Sequence, residues 1–253
     1  MYNNYILQSF TYIFGSNSEI ARELILIKIR NGIPLCLFTT NPSKLRLFLE
    51  EYGVIENEII NIYQYDLSNK IEIGSKLKSL MNEKPISSIF TMVGYLGSKD
   101  EKNSEEEIKK IYDINYFHIK NMFEHMIDLN LLESVGNISM ASSVGSDLFY
   151  RRYRDYYESK RLLDSFICDL RLKVSKNDCK VANLKIGPVY DTRMGPSKGF
   201  FKFFASAKKD VANLIYKNFN KNEMLYIPSF WKFVVKIYLS LPNRLLNFLK
   251  NLI

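Results

Sequence analysis

The chain has 253 residues, 47% of them hydrophobic, and a formal net charge of +8, so it can bury one substantial core and requires no second domain. Cys36, Cys168 and Cys179 have no paired spacing, which argues against a zinc site or a disulfide framework and for a reducing compartment. The first residues form no basic leader with an apolar core, no apolar run of about 18 residues occurs, and the basic residues form no aromatic-interleaved groove; secretion, membrane spanning and nucleic-acid binding are therefore not expected.

Short apolar runs alternate with longer amphipathic ones, the pattern of βα units around a parallel sheet. Strands are predicted at 10–14, 34–39, 58–63, 86–92, 135–140, 179–186 and 223–227, and helices at 18–31, 42–52, 70–82, 104–131, 151–175 and 208–220.

At the first junction, Phe14-Gly15-Ser-Asn-Ser-Glu19-Ile-Ala21, a glycine ending a strand lets the backbone approach a pyrophosphate, and the next helix offers unpaired amides. Ser16, Asn17 and Ser18 add short donors and an N-cap, and Glu19 and Ile20 open the helix; a plain turn is the alternative. After the second strand, Thr39-Thr-Asn-Pro-Ser-Lys44 has no acid to grip the ribose hydroxyls of NAD. Thr40, its neighbours and Lys44 accommodate a phosphate instead, although no arginine lies in the segment, so NADP(H) is favoured over NAD(H). Asp66, followed by Leu67, is an acceptor for an adenine amino group or, equally, a helix N-cap.

Farther along, Asn137-Ile-Ser-Met-Ala-Ser-Ser143 precedes Tyr156-Tyr-Glu-Ser-Lys160, which sets a hydroxyl, a phenol and an ammonium where one carbonyl could meet all three. Residues four apart share a helix face, so Lys160 is expected to pull the Tyr156 phenol below its ordinary value of about 10 and make it a general acid/base. With 17 tyrosines such a spacing arises by chance, and Tyr116-Phe-His-Ile-Lys120 competes; it follows the charged stretch 99–110, however, rather than a strand ending in a serine pair. The alternative for Tyr156 and Lys160 is an exposed helix pair. Between Ser143 and Tyr156, Arg151, Arg152 and Tyr153 would border the substrate with Tyr95, arginine forks meeting phosphates and rings meeting a sugar or base; a solvated helix start is the other reading. His118 and His125 lack partners at ligand spacing, so no metal is expected and both read as surface or interface residues.

The last 25 residues, 229–253, carry Lys232, Lys236, Arg244 and Lys250 without an acid, on a polar stripe flanked by many apolar side chains. Pro242 divides the pattern into two short helices suited to an anionic membrane surface, unless the apolar faces cover the domain body or a second subunit.

Gly15 with its polar loop, Asp66, Val93-Gly94, Asn115, Ser143, Tyr156, Lys160 and Gly187-Pro-Val-Tyr-Asp-Thr192 follow an order that resembles the short-chain dehydrogenases/reductases, over the whole chain. The resemblance implies a single-domain α/β Rossmann-type fold, a doubly wound parallel sheet of about seven strands over 1–228, with an amphipathic helical tail over 229–253. It matches Asn115, Ser143, Tyr156 and Lys160 to the catalytic tetrad, and places residues 15–20, Asp66, Gly94 and the loop with Gly187, Val189 and Thr192 around the dinucleotide.

Within the family, the run from Gly15 to Ala21, Asp191-Thr-Arg-Met194, Leu225-Tyr-Ile-Pro-Ser-Phe-Trp231 and Leu241-Pro242 look most like the branch of the decaprenylphosphoryl-ribose keto-reductases and related enzymes of cell-surface polysaccharide synthesis. The likeness implies a homo-oligomeric NADP(H)-dependent keto-reductase for a sugar-containing, phosphorylated or lipid-linked substrate, cytoplasmic or at the inner membrane face. A soluble enzyme for a nucleotide sugar or small ketone, or a dinucleotide-binding subunit with little catalysis, are the alternatives. Glu19 and Ala21 replace the usual glycines of the turn, Thr91-Met-Val-Gly94 replaces Asn-Asn-Ala-Gly, and Ile186 stands where a proline is usual, in a loop one residue longer.

Overall fold

Every residue of the first strand, β1 (Phe10–Phe14), is buried; Tyr12 and Phe14 join one hydrophobic core and Ile13 the other. A strand apolar on both sides fits a parallel sheet covered on both faces. The computed structural model shows that arrangement, and describes residues 9–68, 70–97, 103–148, 153–195, 203–242 and 246. The other strands are β2 (Leu35–Thr39), β3 (Ile60–Gln64), β4 (Ile86–Thr91), β5 (Asn137–Ser143), β6 (Lys180–Ile186) and β7 (Met224–Ile227). All pairs are parallel, in the order β3-β2-β1-β4-β5-β6-β7. The direction of winding reverses between β1 and β4, which opens a crevice at the carboxyl ends of those strands.

The helices are α1 (Glu19–Arg30), α2 (Pro42–Glu50), α3 (Lys70–Glu83), α4 (Glu105–Tyr112), α5 (His118–Asp128), α6 (Arg154–Lys173), α7 (Lys208–Asn218) and α8 (Trp231–Ser240). One sheet face packs on Met122, Phe123, Leu163 and Ile167 of α5 and α6, the other on Leu24, Ile25, Val211 and Ile215 of α1 and α7. Local chemistry fixes the helix starts. Asn41 Oδ1 accepts from the Lys44 N–H at 3.0 Å with Pro42 in the first turn, and Ser104 Oγ accepts from the Glu107 N–H at 3.2 Å ahead of three glutamates facing the positive helix end.

Three departures from the predicted elements have visible causes. The third strand begins at Ile60, because Asn57 Oδ1 accepts from the N–H groups of Ile59 and Ile60 at 2.9 and 3.0 Å and holds 58–59 in a turn. The fifth extends to Ser143, where pairing with Ile186 of β6 continues. The helix expected over 104–131 is not continuous: Asp113–Phe117 forms a π turn between α4 and α5, and Asn115 at its centre is fully buried.

On one face the tail takes the alternative of covering the domain body. Trp231 and Val235 of α8 are buried against Val144 and Leu148, so this helix packs one face on the body. Lys232, Phe233, Lys236, Ile237 and Leu239 remain exposed on the others. The second predicted short helix lies outside the described residues except for Leu246, and among the described residues no helix is long and apolar enough to cross a membrane.

Candidate active site

The crevice holds two adjoining cavities. The larger, about 550 Å³, lies at the ends of β1, β2 and β4, and its lining includes Gly15, Asn17, Ser18, Thr40, Asp66, Leu67, Val93, Gly94, His118 and Arg193. The smaller, about 260 Å³, includes Ile20, Ser143, Tyr153, Tyr156, Lys160, Gly187, Val189 and Trp231; Ser18, Met92 and Val93 border both.

Gly15 makes the first turn possible. Its φ of +79° belongs to the left-handed region, and a Cβ there would stand 2.9 Å from the Met92 carbonyl carbon. Ser16 closes the turn from inside, its N–H donating to Phe38 O and its hydroxyl to Ile13 O at 2.7 Å; both donors are therefore spent within the protein. Asn17 Nδ2 donates to Thr39 Oγ1 and to the Asn41 carbonyl, tying this turn to the loop after β2. Glu19 points elsewhere: its carboxylate accepts from the Arg193 N–H at 3.1 Å and pairs with that guanidinium.

Lys44 sits in the first turn of α2 and is not among the residues lining the larger cavity. The arginine missing from the sequence segment arrives from α1: Arg22 Nη2 donates to Asn17 Oδ1 at 2.9 Å and reaches the Lys44 carbonyl at 3.4 Å, its guanidinium over the Phe48 ring. Asp66 Oδ1 accepts from the Ser68 N–H at 2.9 Å, and that bond, the largest cause, lowers the carboxyl below its ordinary range. His118, read from sequence as a surface or interface residue, lines the larger cavity from the start of α5, just after the π turn. Nothing in its own sequence neighbourhood signalled this.

The four residues matched to the tetrad come from three elements, Asn115 from the π turn, Ser143 from β5, and Tyr156 and Lys160 from α6. Asn115 Oδ1 accepts from the Tyr95 N–H and its Nδ2 donates to the Tyr95 carbonyl, both at 2.8 Å, and to Ser159 Oγ at 3.0 Å; Ser159 Oγ in turn donates to the Tyr156 carbonyl. The side chain thus joins the loop after β4 to α6. Ser143, at the end of β5, accepts from the Gly145 N–H at 3.1 Å, and its hydroxyl acts on the Tyr156 phenol to lower it. Lys160 Nζ donates to the carbonyls of Val93 and Ala141, each at 3.0 Å, and lies 6.0 Å from the Tyr156 ring centre.

The electrostatics reverse one expectation. Burial, the largest cause, pushes the Tyr156 phenol up to about 12, against the lowering by Ser143, while burial brings the Lys160 ammonium down to about 8. Lys160 fails to depress the phenol because its donors face backbone carbonyls rather than the phenolic oxygen, and desolvation of the phenolate outweighs a charge at that distance. At neutral pH Tyr156 is accordingly a protonated donor.

Among the substrate-side candidates, Tyr153 lines the smaller cavity in a left-handed conformation at φ +63°, a strained backbone for a bulky residue that the start of α6 holds in place. Tyr95 is absent from both linings, its hydroxyl donating to Glu107. Arg151 and Arg152 lie outside the described residues. Thr192 Oγ1 donates to the Val189 carbonyl at 3.1 Å, shaping the loop after β6. The competing Tyr116 packs against the hydrophobic core, away from either cavity. Trp231, on the tail whose apolar faces the sequence left to a membrane, the domain body or a second subunit, lines the smaller cavity; a lone tryptophan in an apolar stretch carries no sign of where it docks.

A family model described as short chain dehydrogenase matches residues 10–199. No curated protein matches the sequence. Among solved structures, a short-chain dehydrogenase from Streptomyces avermitilis is 12% identical with a TM-score of 0.74, over 92% of this chain and 93% of that one. One from Burkholderia cenocepacia in complex with NADP is 13% identical with a TM-score of 0.74, over the same shares, 92% and 93%. An actinorhodin polyketide ketoreductase variant with NADPH is 15% identical with a TM-score of 0.72, over 87% of this chain and 95% of that one.

Proposed function

Because the chain belongs to the short-chain dehydrogenase family, we propose that it is an NADP(H)-dependent keto-reductase in which Tyr156 protonates the oxygen of a sugar-type ketone. The observation that carries this reading is the convergence of Ser143, Tyr156 and Lys160 on one cavity that shares a wall with a larger cavity at the β1–β4 reversal.

The larger cavity fits a dinucleotide: Gly15 keeps the wall clear where any Cβ would collide with Met92, and α1 presents its amino-terminal end beside it. When bound there, the nicotinamide supplies the hydride. Ser143 holds the substrate oxygen, and Tyr156 gives that oxygen a proton from its phenol as negative charge develops. A phenol held at about 12 is in the acid form that reduction consumes, which favours the reductive direction. An ammonium has three donors and Lys160 uses two on carbonyls, so one remains for a ribose hydroxyl. Asn115 keeps the loop after β4 and α6 in register, and with them Tyr156 and Lys160.

Preference for NADP(H) is supported by Arg22 beside the loop after β2, which has no acid, and by Arg193 at the cavity. Two neighbouring folds carry NADP or NADPH in their own structures. A sugar-type substrate is supported by the aromatic side chains of Tyr153, Tyr157 and Trp231 along the smaller cavity, which suit the apolar faces of a ring.

The polysaccharide branch suggested by the sequence adds a lipid-linked substrate met at the inner face of a membrane. In support, α8 exposes Lys232 and Lys236 among Phe233, Ile237 and Leu239 while its Trp231 borders the cavity. A second reading, a soluble reductase for a small apolar ketone, is favoured by Leu96, Val144, Leu148 and Ile186 in the same lining.

Following NADPH oxidation with a panel of keto-sugars and simple ketones tests the chemistry, and absence of any turnover with either group rejects it. Co-sedimentation with anionic liposomes tests the membrane; a protein that stays in solution, and whose oligomer dissociates when the residues after Ser229 are deleted, makes the tail an assembly element instead.

A further inference from the structure

We infer that the Arg193 guanidinium binds a phosphate of the dinucleotide directly, with the Arg193 backbone held in place by Glu19. This deepens the NADP(H) reading and rests on it.

Arg193 lines the larger cavity together with Gly15, Asn17 and Ser18, and its side chain is 72% exposed, so a ligand in the cavity can reach the guanidinium. Its backbone is fixed. The Arg193 N–H donates to Glu19 Oε2 at 3.1 Å and to Oε1 at 3.3 Å, which ties the loop after β6 to the first turn of α1. The guanidinium is held far less. Its Nε stands 3.7 Å from Glu19 Oε1, an ion pair beyond hydrogen-bond length, and among the described residues none accepts a hydrogen bond from its nitrogens. Donors on a planar fork are thus available at the cavity wall, the arrangement that matches phosphate oxygens.

The neighbouring arginine is placed differently. Arg22 is absent from the lining, and its Nη2 is engaged by Asn17 Oδ1 and the Lys44 carbonyl. The other acidic and basic lining residues, Asp66, Glu106, Lys109, Lys110, Asp113 and His118, come from the loop after β3, α4, the π turn and α5. On the α1 side of the cavity, among the described residues, Arg193 is the cation of the lining.

A cation is needed there because of Glu19. A carboxylate in the first turn of α1 lies at the positive helix end where a phosphate would bind, and repels it. The carboxylate is itself outside the lining, bonded to the Arg193 N–H, and Ser18 places no side-chain cap on the helix. The open end of α1 and the guanidinium fastened beside it therefore address the same kind of ligand, an anion with several oxygens.

Calorimetric titration of the full-length protein with NADPH, NADH and adenosine 2′-monophosphate reads both phosphate positions. Arg193→Ala is expected to weaken NADPH about tenfold, the scale of one charge-assisted hydrogen bond, and Arg193→Lys, which keeps the charge without the fork, by less. An equal loss with NADH places the contact at the diphosphate that both dinucleotides carry. A loss shared by NADPH and the monophosphate alone places it at the 2′-phosphate. The control background is Glu19→Gln, whose amide oxygen still accepts from the Arg193 N–H but carries no charge. There, Arg193→Ala should weaken NADPH by as much as it does in the wild type. Unchanged NADPH affinity in Arg193→Ala, or a loss that disappears in the Glu19→Gln background, overturns the inference, because Arg193 then serves only to neutralise the carboxylate. A wild-type protein that binds neither dinucleotide rejects the dinucleotide reading itself, and this inference with it.

Discussion

Two polar clusters meet at neighbouring residues of β5, and they are built on opposite terms. Behind Ser142, Lys185 is 1% exposed and donates to Ser146 Oγ at 2.7 Å, Asp147 Oδ1 at 2.6 Å and Asp164 Oδ2 at 2.7 Å. Asp164 also accepts from Ser142 and Asn183, and the Tyr226 hydroxyl donates to Asp147 at 3.0 Å. All three donors of that ammonium are used, two of them on carboxylates. Beside Ser143, Lys160 is also buried, but it meets two backbone carbonyls and, among the described residues, bonds to no carboxylate. The first cluster spends its charges on one another and holds β5, β6, β7 and α6 together. The second leaves donors and an acid proton unspent, as a site that must still meet a ligand requires.

The sharpest break in the comparison is expected at Tyr156. Tyr156→Phe keeps the ring and loses the transferable proton, so turnover should fall about 10²- to 10⁴-fold while NADPH affinity, followed by fluorescence, stays near wild type. Tyr116→Phe should leave both untouched. An exchange of the two phenotypes would reject the assignment of Tyr156.

Next comes Lys185. Lys185→Met leaves two largely buried aspartates without their cation and should cost about 3–5 kcal/mol in denaturant unfolding. Adding Asp147→Asn and Asp164→Asn should recover part of the loss, because the uncompensated charges go with it. If Lys185→Met unfolds at the wild-type midpoint, the cluster is not a tie.

At the dinucleotide end, Arg22→Ala should weaken NADPH about tenfold and NADH hardly at all, in a titration of both cofactors. Equal losses would make Arg22 a brace for Asn17 rather than a reader of phosphate.

The smallest effect is in the pH profile. Lys160 is charged below about 8 and neutral above, whereas Tyr156 keeps its proton up to about 12. The rate of reduction should therefore fall as pH rises through about 8. Lys28, a buried ammonium between the Phe90 and Phe219 rings that desolvation also brings to about 8, is the control: Lys28→Met should leave the descending limb in place.

The sequence carried the architecture well because the information was local. Apolar runs marked the strands, Gly15 marked a turn, and a four-residue spacing put Tyr156 and Lys160 on one face. What it hid was non-local. The π turn at Asp113–Phe117 has no compositional mark, since one extra residue per turn changes hydrogen-bond partners and not residue types. Lys185 reads as a polar break in an apolar strand until Asp147 and Asp164, 38 and 21 residues away, are seen around it. The spacing of Tyr156 and Lys160 predicted their proximity but not the direction of the phenol's shift, which depends on how deeply the fold encloses them.

Glu19 stands where a glycine would be usual, and its clasp on Arg193 joins positions 174 residues apart. A contact spanning that much chain pays a large loop-closure entropy if it forms early, and almost none once β1 and β6 already lie in the same sheet. The clasp is therefore expected to form late in folding. Weakening this clasp should quicken unfolding while leaving the rate of folding nearly unchanged.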